Sequence, residues 1–332
     1  MESHIYPLLF EPVYKHIIWG GDKLSSYIGI KTPECTLPVG ESWLVTDRPG
    51  DQSVVANGAH KGLTLRELIS SHPSKIVGSR HNPDEPFPLL IKIIDAAKRL
   101  SLQVHPDEMN CRKHPGTEAK TEMWYILDHE ENALLYAGLR HNKTQLQFRT
   151  RVGTDKIEEC LQKFPSRKGD AYYIPSGTVH SIGGGNLILE IQQNSDTTFR
   201  VHDWGRLDVD DNPRELHVVE ALESIHFKDR ALPLIRVDES PVTANKKRNL
   251  VQHNKYFKAE EIKLISNFFS STSPKTFHTL TAIDSSFTLK YADGELAVRK
   301  GACCLLPAGL GSYGIVPEEG VPLTIVRSML SM

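Results

Sequence analysis

The chain has 332 residues, 39% hydrophobic and 24% charged, which is enough to bury the cores of two domains and excludes a disordered chain. Lys and Arg total 39 against 41 Asp and Glu, a formal charge of −2, so no bulk attraction draws it to nucleic acid or to an anionic membrane, and any anion site must be local. No run is long and apolar enough to span a bilayer, Met1-Glu2-Ser3-His4 opens without a secretory signal pattern, and Cys35, Cys111, Cys160, Cys303 and Cys304 form no CxxC pair, so a cytoplasmic protein with packing cysteines is expected.

Pro33, Pro38, Gly40, Pro49-Gly50 and Asn57-Gly58 punctuate the first hundred residues into short strands and turns. Thr64-x-x-Glu67 reads as a capping box, predicting a helix over 64–71 that buries Leu65, Leu68 and Ile69 and ends before Pro73. Strands resume at Pro88. In Leu100-Ser101-Leu102-Gln103-Val104-His105 apolar and polar residues alternate, so a strand puts Ser101, Gln103 and His105 on one face. Lys120 to Tyr125 alternates likewise, pairing Lys120 with Glu122, and Leu187 to Gln192 pairs Glu190 with Gln192. Apolar spacing over 144–164 predicts a small helical insertion. Asn212 as cap, Pro213 in the first turn and the stripe Leu216, Val219, Leu222 predict a second helix over 213–225. Thr243 to Lys255, with Lys246-Lys247-Arg248, reads as a solvated connector, dividing a domain over 1–240 from a β-rich one over 241–332 that contains the turn signal Asp293-Gly294.

One phrase occurs twice. Gly169-x5-Pro175-x-Gly177-x2-His180 returns as Gly301-x5-Pro307-x-Gly309-x2-Ser312, each with an apolar strand between glycine and proline, so two copies of one unit are expected and only the first keeps a ligand-type side chain. The polar strand faces and the turn before His180 can bring Gln103, His105, Glu122 and His180 around one cation. Two imidazoles and a carboxylate suit Zn²⁺ with an open position, and the amide of Gln103 is the weakest donor of the four. A carboxylate followed by Met123-Trp124-Tyr125-Ile126-Leu127 is costly unless paired, protonated or metal-bound, and pairing with Lys120 is the simplest alternative. Trp124 and Tyr125 read as core, and His114, His129 and His141 as loop histidines.

The repeated phrase resembles the second signature of cupins, small jelly-roll β-barrels, with Gly184 where asparagine is usual. Gln103-x-His105 stands in place of the His-x-His of the first signature, and Glu122 follows after a long insertion. The order Leu90-Ile91-Lys92, Leu100 to Glu108, Lys120-Thr121-Glu122-Met123, Gly177-Thr178-Val179-His180, Asn194-Ser195-Asp196 and Arg200 is similar to type I phosphomannose isomerases of the short bacterial form, over about residues 5 to 225. The resemblance implies a mainly β fold of two cupin-like barrels with a small helical insertion, the second barrel metal-free. It implies a zinc enzyme with one ion per chain, interconverting mannose 6-phosphate and fructose 6-phosphate, and a monomer or weak homodimer. His105, Glu122 and His180 match the family's metal ligands and Gln103 its additional glutamine ligand. Arg200 matches the active-site arginine, Lys120 and Glu190 the residues proposed for proton handling, and Lys92 and Ser101 positions lining the sugar-phosphate pocket. Arg206 stands where longer members carry lysine, so a phosphate contact of different geometry is expected.

Aldose–ketose exchange needs a base near carbon and positive charge near two oxygens, and zinc serves the second need. The base is open between Glu190 and Lys120, while Arg200 stays protonated and suits charge stabilisation or phosphate. Two other readings of the same residues are a non-catalytic sugar-phosphate-binding regulatory cupin and another metal-dependent cupin enzyme such as an oxygenase. The Lys and Arg set argues against the latter.

Overall fold

The computed structural model describes residues 5–29, 31, 35–228, 233–251 and 254–331; Met1 to His4, the segment read for a signal, lie outside them. A seven-stranded antiparallel sheet runs in the order Leu234–Ile235, Ala171–Ile174, Glu122–His129, Asn186–Gln193, Leu89–Ala96, Val39–Val45, Val13–Gly21. Facing it is a five-stranded sheet of Leu161–Pro165, Leu134–Leu139, His180–Ile182, Leu102–Val104 and Phe199–His202. Ile94, Trp124, Ile126 and Ile188 from the first sheet meet Leu135, Ala137, Phe164 and Ile182 from the second in a shared core. Helical segments cover the outer face of the smaller sheet, where Phe148, Ile157 and Ala221 pack on Leu102, Val104 and Val201.

A second pair of sheets repeats the plan. Seven strands, Lys246–Val251, Phe257–Leu264, Leu323–Leu330, His278–Ala282, Cys303–Leu306, Leu8–Glu11 and Val54–Val55, face four, Phe268–Ser271, Ser312–Pro317, Phe287–Tyr291 and Gly294–Val298. Two strands of the larger sheet come from the start of the chain: Leu8 lies opposite Leu305, and Phe10 opposite Val55. The two seven-stranded sheets pack back to back, with Ile91, Met123 and Leu189 of one sharing a cluster with Phe257, Leu305 and Val326 of the other. Leu89–Ala96 is therefore buried along all eight residues, and its sequence is a continuous apolar run interrupted only by Lys92 and Asp95. The fold is mainly β, as the sequence indicates.

The repeated phrase marks equivalent positions in both units. Gly169 and Gly301 both take positive φ (85° and 77°) before the strands Ala171–Ile174 and Cys303–Leu306, and His180 and Ser312 each begin the strand that follows. The Thr64 capping box forms as read, ahead of the helix Leu65–Ser71. The insertion is shorter than the sequence suggests. A helix Gln145–Arg149 and a 3-10 turn Asp155–Cys160 are followed by a strand, Leu161–Pro165, because the edge of Leu134–Leu139 offers it ladder hydrogen bonds. The helix expected over 213–225 begins only at Val218 and ends at Ser224. Pro213 bridges Leu207, and the His217 N–H donates to the carbonyl of Arg200, so the backbone of this stretch is satisfied by neighbours before a helix can start. Lys246-Lys247-Arg248 is an edge strand paired with Phe257–Leu264, not a connector; alternate residues face solvent, which gave it a polar sequence. Among the described residues no helix is long and apolar enough to cross a membrane.

A buried polar link crosses the back-to-back interface. The Tyr125 hydroxyl donates to Glu261 Oε2 at 2.6 Å, and Arg248 donates through Nε and Nη2 to the same carboxylate at 3.1 and 2.8 Å. Arg248→Ala takes the hydrogen-bonded guanidinium from the buried Glu261 carboxylate, leaving Lys263 at 3.9 Å, and is expected to cost about 3 kcal/mol in urea denaturation. In the second unit His278 is buried beside Tyr313, and burial, with the nearby Arg327 charge, pushes its imidazole down to about 3. The unfolded chain takes up a proton near pH 6.5 that the folded chain refuses, so stability falls as pH drops below 6.5. His278→Gln is expected to remove about 2 kcal/mol of the loss between pH 6.5 and 5, read by denaturation at both pH values.

Candidate metal centre and active site

Strand register aligns the site. His180 lies opposite Gln103, and Gln103 opposite Arg200, so the three share one row on the inner face of the smaller sheet. Glu122 begins its strand in the larger sheet, opposite Ile174 and Gln192, and reaches the row from across the core. His105 Nδ1 faces the carbonyl of Thr197 at 2.9 Å and His180 Nδ1 that of Thr178 at 2.8 Å. Donation from Nδ1 to these carbonyls leaves each Nε2 as a lone pair. Those lone pairs point at a carboxylate: His105 Nε2 is 3.3 Å from Glu122 Oε2, and His180 Nε2 is 3.3 Å from Oε1.

Lone pairs facing carboxylate oxygens repel unless a cation lies between them. His105 Nε2 and both Glu122 oxygens are buried without a hydrogen bond, and the ligand atoms of His105, Glu122 and His180 all lie within 4.8 Å of one another. Two imidazoles and one carboxylate with these orphaned atoms fit a divalent ion with an open coordination position. Gln103 Nε2 is 3.3 Å from His180 Nε2, while its Oε1 accepts from Ser101 Oγ at 3.3 Å, so its amide borders the cluster and the oxygen needs a half-turn to reach an ion. Burial, with the Lys120 charge, pushes His105 down to about 3, and burial lowers His180. Burial opposes ionisation of Glu122, yet the Lys120 ammonium beside it holds it well below the usual carboxylate range.

A ladder of buried charges leads away from Glu122. Lys120 Nζ is 3.1 Å from Glu122 Oε2 and 3.9 Å from Glu190 Oε1; Lys92 Nζ is 3.1 Å from Glu190 Oε1 and 3.2 Å from Glu41 Oε2. Indole N–H groups clamp two of the carboxylates, Trp124 on Glu190 at 2.9 Å and Trp43 on Glu41 at 2.5 Å. Burial and the neighbouring Glu122 raise Glu190 above the ordinary carboxylate range, against the pull of Lys92 and Lys120. Burial alone would lower Lys92, but Glu190, Glu41 and Glu122 outweigh it and keep the ammonium charged. Glu41 and Trp43 were not singled out from sequence. The alternation Glu41-Ser42-Trp43 in a buried strand was the signal that could have found them.

At the other end of the row lies a group of arginines. Arg200 is half-buried, donates from Nη1 to the Glu215 carbonyl at 2.7 Å, and has a buried Nε without a partner. Arg206 donates to the carbonyl of Arg99 and to the Asp203 carboxylate. Arg214, also missed, grips Asp203 through Nε at 2.7 Å and Nη2 at 2.5 Å. Ser101 is buried one residue before the strand Leu102–Val104 that neighbours this group.

Residues 8–150 match the model of the type I phosphomannose isomerase catalytic domain. The mannose-6-phosphate isomerase ManA of Bacillus subtilis is 35% identical, the match covering 97% of this chain and 99% of the relative. The chain belongs to the type I phosphomannose isomerases. A crystal structure of the mannose 6-phosphate isomerase from Bacillus subtilis superposes with a TM-score of 0.85 at 32% identity, covering 97% of this chain and 99% of that one. A more distant phosphomannose isomerase fold, a mannose 6-phosphate isomerase bound with zinc and yttrium, aligns at 15% identity with a TM-score of 0.77 over 98% and 100% of the two chains. Among the described residues, His105, Glu122 and His180 form a group that could hold a metal ion.

Zn²⁺ at about 1,000 times its dissociation constant is expected to raise the unfolding free energy by about 4 kcal/mol, and Glu122→Gln to abolish that gain. Thermal denaturation with and without the ion decides it, an equal gain in the variant excluding Glu122 as a ligand.

Proposed function

We propose that this chain interconverts mannose 6-phosphate and fructose 6-phosphate, with one zinc ion per chain held by His105, Glu122 and His180 and with Gln103 as an additional donor. The orphaned Nε2 and carboxylate atoms of that trio carry the reading, together with membership of the family. Residues 1–240 supply the metal-binding unit in this proposal and 241–332 the body of a metal-free one, to which Leu8–Glu11 and Val54–Val55 are lent.

Conversion of the aldose to the ketose takes a proton from C2, returns one to C1 and moves a hydroxyl proton from O2 to O1. When bound, the ion acts as a Lewis acid toward the two substrate oxygens, lowering the cost of the negative charge they share. Glu190 is the group assigned to carrying the proton between C2 and C1. Its raised affinity for protons suits a base that must also give the proton back, and the Trp124 indole fixes Oε2 so that Oε1 is the working atom. Lys120, between Glu122 and Glu190, holds positive charge near the reacting oxygens and exchanges their hydroxyl proton. Lys92 keeps Glu190 oriented from the other side and lines the inner end of the pocket. Arg200, a permanent cation in the same row as Gln103, stabilises the developing negative charge, and Ser101 supports both Gln103 and the sugar.

Turnover of mannose 6-phosphate should be lost on chelation and return with Zn²⁺; chelation-insensitive turnover would rule out the mechanism. Glu190→Gln should lower kcat by about 10²- to 10⁴-fold, read on protein whose circular dichroism shows it folded. Arg200→Ala should likewise lose far more turnover than stability, and a parallel loss of both would sink its assigned part.

A further inference from the structure

Resting on the isomerase reading, we propose that Glu41, clamped by the Trp43 indole, is a positioning residue for the reaction: it holds the Lys92 ammonium in place while Glu190 carries the substrate's proton.

Strand register builds the arrangement. Trp124, Glu190, Lys92 and Trp43 lie opposite one another in four neighbouring strands of the seven-stranded sheet, and so share one face. Glu41 comes two residues before Trp43 in its strand and returns to that face. Its Oε2 accepts the Trp43 N–H at 2.5 Å and lies 3.2 Å from Lys92 Nζ, which in turn lies 3.1 Å from Glu190 Oε1. One ammonium thus stands between two carboxylates, and all three residues are buried. Glu190 Oε1 is itself without a hydrogen bond: Lys92 stands at ion-pair distance, and the Trp124 N–H occupies Oε2. Lys15, opposite Glu41 on the outer strand, is ion-paired with Asp51 at 2.5 Å and lies over the Trp43 ring, which leaves Glu41 to Lys92.

Charge balance gives Glu41 its part. Facing Glu190 are Lys92 and, behind it, Glu41 on one side, and Lys120 and, behind it, Glu122 on the other; the imidazoles of His105 and His180 lie beyond Glu122. While Glu190 is ionised, both ammoniums share it. Once Oε1 has taken the proton from C2, and until that proton goes to C1, Glu190 is neutral. Each ammonium then keeps one carboxylate, Lys120 that of Glu122 and Lys92 that of Glu41. Without Glu41 the same proton transfer would leave Lys92 a buried, uncompensated cation, so the proton-loaded form of Glu190 would be disfavoured. Lys92, drawn to Oε1 alone, would also obstruct the atom that must reach C2 and C1. The proton affinity of Glu190 agrees in direction: burial and Glu122 raise it, Glu41 adds to them, and Lys92 and Lys120 oppose them. Trp43 fixes Glu41 from the side as Trp124 fixes Glu190.

Glu41→Gln keeps the volume and can still accept the Trp43 N–H, so it removes the charge alone. Zinc-loaded protein would be read in two ways: turnover of mannose 6-phosphate, and NMR titration of the Glu190 carboxyl in isotope-labelled protein, its signal being the one missing from Glu190→Gln. Glu41→Gln should lower the Glu190 midpoint by about one pH unit and kcat by about tenfold, with KM moving less than about threefold. Glu41→Asp, which keeps the charge, should bring the midpoint most of the way back. A midpoint unchanged in Glu41→Gln overturns the proposal, as does an equal drop in Glu41→Asp. Action through Lys92 is tested by coupling: in a Lys92→Met background, adding Glu41→Gln should change kcat by less than about twofold, and a further tenfold loss would show that Glu41 acts without Lys92. Should Glu41→Gln alone not fold, the uncompensated cation is the expected cause and the double variant should fold; a double variant that also fails marks Glu41 as structural only. Should the parent protein fail to turn over mannose 6-phosphate, the isomerase reading falls. The Glu190 midpoint then still decides Glu41: a drop in Glu41→Gln upholds its hold on the Glu190 proton, and no drop removes it.

Discussion

The constraint on which the rest depends is the meeting of two imidazole lone pairs with an ionised carboxylate in a buried core. Left alone, His105, His180 and Glu122 would be a costly arrangement, since both imidazole lone pairs face the buried carboxylate and Lys120 reaches only its Oε2. A divalent ion converts that cost into coordination. The backbone carbonyls of Thr197 and Thr178 make the conversion specific, because they fix which nitrogen of each ring faces the site. Neither sheet alone can assemble the trio, and the two-layer construction is what brings a strand end, a turn and a facing strand to one point.

Outward from that point the site is organised as alternating charge. Glu122, Lys120, Glu190, Lys92 and Glu41 succeed one another at ion-pair distance in the core, and the indoles of Trp124 and Trp43 hold two of the carboxylates from the side. Such a chain has no slack: every member is both partner and perturbing charge, which keeps Glu122 ionised while Glu190, one step farther, is pushed toward the protonated form. Two carboxylates on neighbouring strands thus acquire different chemistry from position alone. The second unit repeats the sheet plan, but at the position equivalent to His180 it carries Ser312, which is exposed.

The larger architecture supports this precision mechanically. The sheet that carries Glu122 and Glu190 is buried on both faces, by the smaller sheet on one side and by the second unit on the other. Side chains on adjacent residues of one strand serve different masters: Trp124 bonds the ladder, and Tyr125 reaches through the opposite face to Glu261 and Arg248. The N-terminal strand Leu8–Glu11 ties the start of the chain into the far sheet, so the two units share strands as well as surface.

Much of this was legible in order along the chain. Alternation placed Gln103 and His105 on one face and Lys120 and Glu122 on another, the capping box at Thr64 was local chemistry, and the repeated Gly/Pro/Gly phrase announced two related units with one ligand histidine. These signals survive because they depend on period and on backbone conformation within a few residues. What failed locally failed for want of a neighbour: residues 161–164 became a strand because a sheet edge was there to pair with, and 213–217 stayed extended because Arg200 and Leu207 took their backbone groups. The pairing of Arg214 with Asp203, the clamp on Glu41 and the direction of each proton shift belong to tertiary structure alone. They arise where segments distant in sequence come together, and charge there acts through distance, which sequence order does not encode.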